Sequence, residues 1–180
     1  RVEGDFRYLS PSVLQTTVSD TVRGGFFNVN VDDIQEVLLS KPWVHHVTVK
    51  RIWPDSMSVT VSEQIATVRW GSIGLINPDA EIFTPEKNTY PDDLPVLFGP
   101  EETHQFLFAL YERLQKKLGL LGLKVTELNL NARRAMTFRL HNGPLVILGR
   151  EDVESRIDRF VGDVVNELND PEKIEVVDLR

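Results

Sequence analysis

Hydrophobic spacing changes several times along the chain, and each change predicts an element. Arg1–Tyr8 reads as a short strand with Val2 as its apolar anchor. Ser10-Pro11 opens a helix, because serine suits the capping position and proline the first turn, where no amide partner is required. Val13, Leu14 and Val18 give that helix an apolar side. Gly24-Gly25 breaks the chain before Phe26-Phe27, read as a buried anchor. Ile34, Val37 and Leu38 stand at i, i+3 and i+4, one face of a second helix that starts near Asp32 or Asp33 and is stopped by Pro42. The period then drops to two. Val47 and Val49 alternate with His46, Thr48 and Lys50; Trp53-Pro54-Asp55-Ser56 turns the chain; Met57, Val59 and Val61 alternate with Ser58, Thr60 and Ser62.

From Thr67 the pattern becomes short strands and turns. Ile73–Ile76 runs into the turn signal Asn77-Pro78-Asp79, and the proline-rich stretch Pro85–Pro100 reads as a covering loop. Glu101–Leu118 is predicted as a helix with Phe106, Leu110, Leu114 and Leu118 on one side and Gly119 as its stop. Val125–Leu130 and Ala135–Leu140 alternate as strands, with Met136, Phe138 and Leu140 sharing a face. Asn142-Gly143 is a hairpin signal that pairs Ala135–Leu140 with Leu145–Leu148. Glu151–Leu168 keeps helical spacing through Val153, Ile157, Phe160, Val161, Val164 and Leu168, and Ile174–Arg180 reads as a final strand. The fold class is α+β. A β-α-α-β-β unit over residues 1–66 precedes a second domain over 67–180, an antiparallel or mixed sheet with two covering helices.

Composition narrows the chemistry. A net charge of −7, with the basic residues scattered, gives no support to a nucleic-acid partner. The absence of cysteine removes thiol catalysis, disulfides and cysteine-ligated zinc. His45 and His46 are adjacent on a strand, so their side chains point to opposite faces and do not chelate one ion. No Gly-x-Ser-x-Gly and no phosphate-loop pattern occurs, and the acidic pairs Asp32-Asp33, Asp92-Asp93, Glu101-Glu102 and Glu151-Asp152 fall in loops or first helical turns. No catalytic residue, metal site or cofactor is assigned. Trp53 and Trp70 are read as packing residues of a core or domain junction. The chain opens on Arg1 and contains no apolar run long enough to span a bilayer, so any membrane anchor is expected outside these residues.

One ordered set of motifs goes further. Pro42-Trp43-Val44, Val47-x-Val49-x-Arg51-x-Trp53-Pro54-Asp55, Val59-x-Val61-x-Glu63 and Arg69-Trp70, with Gly25-Phe26-Phe27-x-Val29 ahead of them, resemble the POTRA-type first periplasmic domain of the FtsQ family of bacterial cell-division proteins. Leu97-x-Gly99-Pro100-Glu101, Ala132-Arg133-Arg134, Leu148-Gly149-Arg150, Arg159-Phe160 and Val177-Asp178-Leu179-Arg180 resemble that family's second, β-rich domain, in the same order. The resemblance implies a POTRA-like domain followed by an FtsQ-type β-domain in a single-pass inner-membrane protein. Its bulk would lie in the periplasm at the division septum, with no catalytic role.

It also implies partners. These are FtsB and FtsL-type division proteins, with other divisome members meeting the POTRA-like domain, and with membrane attachment only through an anchor outside these residues. The FtsB-type segment is expected to add as a strand beside the last strand, which places Val176, Asp178, Leu179 and Arg180 at the contact. Arg133 and Arg180 match the family's partner-contacting arginines. An exposed terminal strand offers unpaired backbone groups to such a segment, and a guanidinium fork suits a partner carboxylate. The alternative is another envelope assembly or translocation protein with a POTRA-like domain.

Overall fold

The computed structural model describes residues 1–22, 30–141, 143–167 and 176–180, of which 163–167 by backbone alone. The readings placed on Gly24-Gly25, Phe26-Phe27, Asn142, Leu168 and Ile174, and on the Val164 side chain, lie outside the described residues. Two compact units result. One comprises Arg1–Ile65 with Phe83–Tyr90, the other Ala66–Ile82 with Pro91–Arg180.

The first unit has the β-α-α-β-β order expected: β1 (Val2–Glu3), α1 (Pro11–Thr21), α2 (Val31–Leu39), β2 (Val44–Ile52) and β3 (Ser56–Glu63). Its sheet runs β1-β3-β2, with β1 parallel and β2 antiparallel to β3. The helices cover one face because their apolar positions recur at helical spacing. Leu14 and Val18 of α1 and Ile34 and Leu38 of α2 meet Val44, Val47, Val59 and Val61 in one core. β1 is shorter than Arg1–Tyr8 because the amides of Arg7, Tyr8 and Leu9 turn away to the Glu63 carboxylate, at 2.8, 2.8 and 2.6 Å. Ser10 and Pro11 stand at the predicted helix start, although the Ser10 hydroxyl bonds Ser12 Oγ at 2.9 Å instead of an amide. In α2 the capping group is Asn30, whose Oδ1 accepts from Asp32 N at 3.1 Å.

Trp43 anchors the rest of this unit. Tyr8 stacks on it at 4.0 Å between ring centroids, Phe83 meets it edge-on at 5.3 Å, and its indole N–H donates to Thr89 Oγ1 at 2.9 Å. Trp53 does not pack as predicted. It is 69% exposed, at the tip of the β2–β3 hairpin, in the turn between the two strands.

Beyond β3 the chain adds β4 (Val68–Trp70), β5 (Gly74–Ile76), β6 (Ile82–Phe83), β7 (Val96–Phe98), α3 (His104–Gly119), β8 (Val125–Leu130), β9 (Met136–Leu140), β10 (Leu145–Gly149), α4 (Val153–Glu167) and β11 (Val176–Asp178). The sheet is mixed, in the order β11-β10-β9-β8-β7-β4-β5-β6. β7 lies within the stretch read as a covering loop, and it is a central strand, parallel to β4 on one side and β8 on the other. Its three residues are too few to show periodicity.

α3 and α4 pack on the sheet over a core that includes Trp70, Leu97, Leu128, Phe138 and Val146. Phe138 and Phe160 meet edge to face at 5.4 Å. Arg113 pairs with Glu154 at 2.9 Å, and Lys117 pairs with Asp158, linking the two helices. α3 begins at His104, three residues later than predicted, and buries Leu107, Leu110, Leu114 and Leu118. Phe106 is exposed. Steps of four residues advance about 40° each around a helix, which turns Phe106 about 120° from Leu118. Past Gly119 the chain reverses at Gly122 (φ 73°), and Leu123 N donates back to Leu118 O at 3.0 Å. Among the described residues, no helix is long and apolar enough to cross a membrane.

Candidate functional site

β11 sits at one edge of the eight-stranded sheet and runs parallel to β10, with Val176, Val177 and Asp178 opposite Leu145, Val146 and Ile147. Leu179 N donates to Ile147 O at 3.0 Å. Backbone groups alternate sides along an extended chain, so the amides of Asp178 and Arg180 face the outer side. Among the described residues no strand pairs there. Side chains follow the same alternation. Val177 and Leu179 pack against the core, while Val176, Asp178 and Arg180 are exposed.

Arg133 lies in the turn between β8 and β9. Asn131 builds that turn: its Oδ1 accepts from Arg133 N and from Ala135 N, both at 2.9 Å, and its carbonyl accepts from Arg134 N at 2.9 Å. Arg134 takes the left-handed conformation that closes it (φ 60°). This is the Asx-turn geometry that asparagine supplies locally.

Strand direction brings the arginines together. β8, β10 and β11 are connected through parallel and antiparallel pairings that put their C-terminal ends at the same end of the sheet. There Arg133, Arg150, Arg156 and Arg180 line a depression of about 480 Å3, with Glu151 as the acidic residue in its wall. Gly149 makes room for it. It adopts φ 75°, and a Cβ at that position would stand 2.6 Å from Arg156 Nη1 and 3.1 Å from Arg180 Cγ.

Asp178 is the counter-ion of Arg180. Its carboxylate accepts from Arg180 Nε at 2.9 and 3.0 Å, from Arg180 Nη2 at 2.5 Å and from Arg180 N at 3.0 Å. These hydrogen bonds hold the Asp178 carboxyl down at about 2 and push the Arg180 guanidinium up. The outer edge of β11 is thus closed at its end by its own side chain, a device that blunts an open edge.

Of the residues assigned from sequence, Arg133 and Arg180 share the depression, Val176 and Asp178 present the outer edge, and Leu179 is directed inward. Arg150 and Arg156 were not assigned. Arg150 stood inside a quoted motif, but Arg156 carries no local signal, because its place depends on α4 returning over the end of β10. Elsewhere in this unit, a second depression of about 750 Å3 is lined by Tyr111, Gln115, Lys124 and His141 among others. Burial, and then the neighbouring Glu112, raise the Tyr111 hydroxyl above its ordinary range.

Comparison with known proteins agrees with this architecture. Residues 68–180 match the family model described as "Cell division protein FtsQ/DivIB, C-terminal", and residues 1–64 match "POTRA domain, FtsQ-type". The chain is 34% identical over 154 residues to the cell division protein FtsQ of Coxiella burnetii, covering 86% of this chain and 63% of that protein. It is 33% identical to FtsQ of Xanthomonas campestris pv. campestris, covering 100% of this chain and 65% of that protein. With FtsQ of Nitrosospira multiformis it shares 31% identity, over 98% of this chain and 74% of that protein. The chain spans a little under two-thirds of the length of the first two of these relatives. It belongs to the FtsQ/DivIB family of cell division proteins, with an FtsQ-type POTRA domain ahead of the family's C-terminal domain.

Proposed function

We propose that the chain is a non-catalytic periplasmic scaffold of the divisome, which docks an FtsB-type segment by strand addition at the outer edge of β11. In this reading residues 1–66 form the POTRA-like domain and 67–180 the docking β-domain. The intact protein is held in the inner membrane at the septum by an anchor outside these residues. FtsL-type proteins join through the same assembly, and other divisome members meet the POTRA-like domain. The observation that carries the reading is the outer edge of β11 ending beside the depression lined by Arg133 and Arg180. The edge supplies backbone hydrogen bonds to any extended segment, and the arginines select one that brings carboxylates. Val176 and Asp178 lie along the contact, while Leu179 fixes the strand from inside.

The test is a titration with the periplasmic segment of an FtsB-type partner. It uses this chain and a version extended past Arg180, each with and without Arg133→Glu. Saturable binding weakened about tenfold by the charge reversal, a loss of about 1.4 kcal/mol, is the expected result. Binding indifferent to Arg133 keeps the scaffold and removes this site. A folded, extended chain that does not bind overturns FtsB docking.

A further inference from the structure

The tip of the β2–β3 hairpin sets exposed cations beside exposed apolar side chains. Lys50, Arg51, Ile52, Trp53 and Pro54 are consecutive and all exposed, with Ile52 at 53% and Trp53 at 69%. The register sets Arg51 opposite Met57 and Ile52 opposite Ser56, so the two apolar side chains stand at the end of a two-stranded projection instead of in a groove. Arg1 lies alongside, its carbonyl accepting from Val59 N at 2.9 Å, and adds a third cation beside Glu3 at 3.2 Å. Asp55 is the acidic residue of the turn, and the Ser56 hydroxyl donates to it at 3.1 Å. Cations therefore lead at the tip of a chain whose net charge is −7.

We infer that this hairpin tip is a membrane-contact element, which inserts Trp53 and Ile52 into the interfacial region of an anionic bilayer while Lys50 and Arg51 stay at the headgroups. Three features favour a lipid surface over a protein partner. The apolar residues stand exposed at the end of a two-stranded projection. Tryptophan is the side chain best suited to the headgroup level, where its ring is partly buried and its N–H stays hydrated. Lysine and arginine directly before it have stems long enough to lie along the apolar region with their charges in the anionic layer. This contact is additional to any anchor outside these residues and does not depend on the docking edge of β11.

The protein carries its own reporter. Of its three tryptophans, Trp43 and Trp70 are 6% and 4% exposed, so a change in emission on adding vesicles arises from Trp53. The experiment is co-sedimentation and tryptophan fluorescence of this chain with vesicles of equimolar phosphatidylglycerol and phosphatidylcholine, and with phosphatidylcholine alone. We expect partitioning onto the anionic vesicles with a blue shift, and loss of the shift in Trp53→Ala. Each basic residue near an anionic surface strengthens partitioning about fivefold, so Lys50→Gln with Arg51→Gln is expected to weaken it about thirtyfold. These exposed positions leave the fold intact, which circular dichroism checks. Absence of partitioning, or partitioning of both variants unchanged from that of the parent chain, overturns the inference. A blue shift with a polyglutamate peptide and none with vesicles also overturns it, and assigns the tip to an acidic protein partner.

Discussion

Replacing Glu63 with alanine removes one carboxylate and strands three backbone donors. Its two oxygens accept from Arg7 N, Tyr8 N and Leu9 N, and those of Tyr8 and Leu9 are partly buried. Hydrogen bonds to a charged group contribute about 1.5–3 kcal/mol each, and an exposed donor recovers most of that from water. Counting the two partly buried donors, and allowing that water reaches them in part, the loss is about 2–4 kcal/mol. For a unit of this size it lowers the midpoint of unfolding by roughly 10–25 °C. The effect extends along the chain, because Tyr8 is the residue stacked on Trp43. Hydrogen exchange gives the local reading: the amides of Tyr8 and Leu9 lose protection in Glu63→Ala, while those of β8 and β9 keep theirs. Glu63→Gln keeps one acceptor oxygen but introduces an amide N–H2 facing donors, and falls between the two. A loss below about 0.5 kcal/mol, the range of an ordinary surface change, refutes the reasoning, as does unchanged protection at Tyr8 and Leu9.

Two further outcomes follow from the end of β11. By carboxyl-resolved NMR, Asp178 titrates at about 2 and not at its ordinary 3.8, so its pairing with Arg180 is fully present above about pH 4 and is lost as the pH falls through 2; Arg180→Ala returns the titration toward 3.8, and an unmoved midpoint refutes the pairing. Gly149→Ala puts a side chain at φ 75° and against Arg156 and Arg180, which costs about 1–2 kcal/mol in denaturant unfolding and weakens partner binding through the displaced arginines; a neutral change in both refutes the tight fit.

The parts of the fold that could be read from sequence are those whose signal is local and long. α1 and α2 bury the residues their spacing picks out, and β2 and β3 alternate as written, because one-sided burial imposes a period on the chain. Glu63 belonged to a recognisable motif, but its role is visible only when β3 stands beside the loop after β1. The failures have physical causes too. β7 is three residues long between Pro95 and Pro100, and its strand character comes from two parallel neighbours distant in sequence. Trp53 defeats the expectation that a large aromatic is buried, since it stands 69% exposed in the turn between two strands. At the candidate site, Arg133 and Arg180 came from motif resemblance, which carries no geometry. Their sharing one depression depends on the parallel pairing of β10 and β11, set by the return of the chain through α4.

The magnitudes then say what this edge can do alone. β11 spans three residues, and its outward-facing Val176 and Asp178 each present one N–H and one C=O, so an added strand finds about four hydrogen bonds there. At about 0.5–1.5 kcal/mol each they yield about 2–6 kcal/mol, toward the low end of the roughly 4–15 kcal/mol that association loses in translational and rotational freedom. The next outer donor, Arg180 N, already has Asp178 as its acceptor. In the proposed mode, strand addition therefore sets the register of a partner without being able to hold it. Charge-assisted bonds to Arg133 and Arg180 add to this, the latter in exchange with Asp178, and they act only on a segment whose carboxylates reach the depression at the end of the sheet. Even together these terms roughly break even against the cost of association, so a stable complex has to bury apolar surface beyond β11. Val176, 54% exposed beside the edge, is the nearest place for that burial to begin. Selectivity on this reading resides in the arginines, and most of the affinity in surface that the partner covers beyond them.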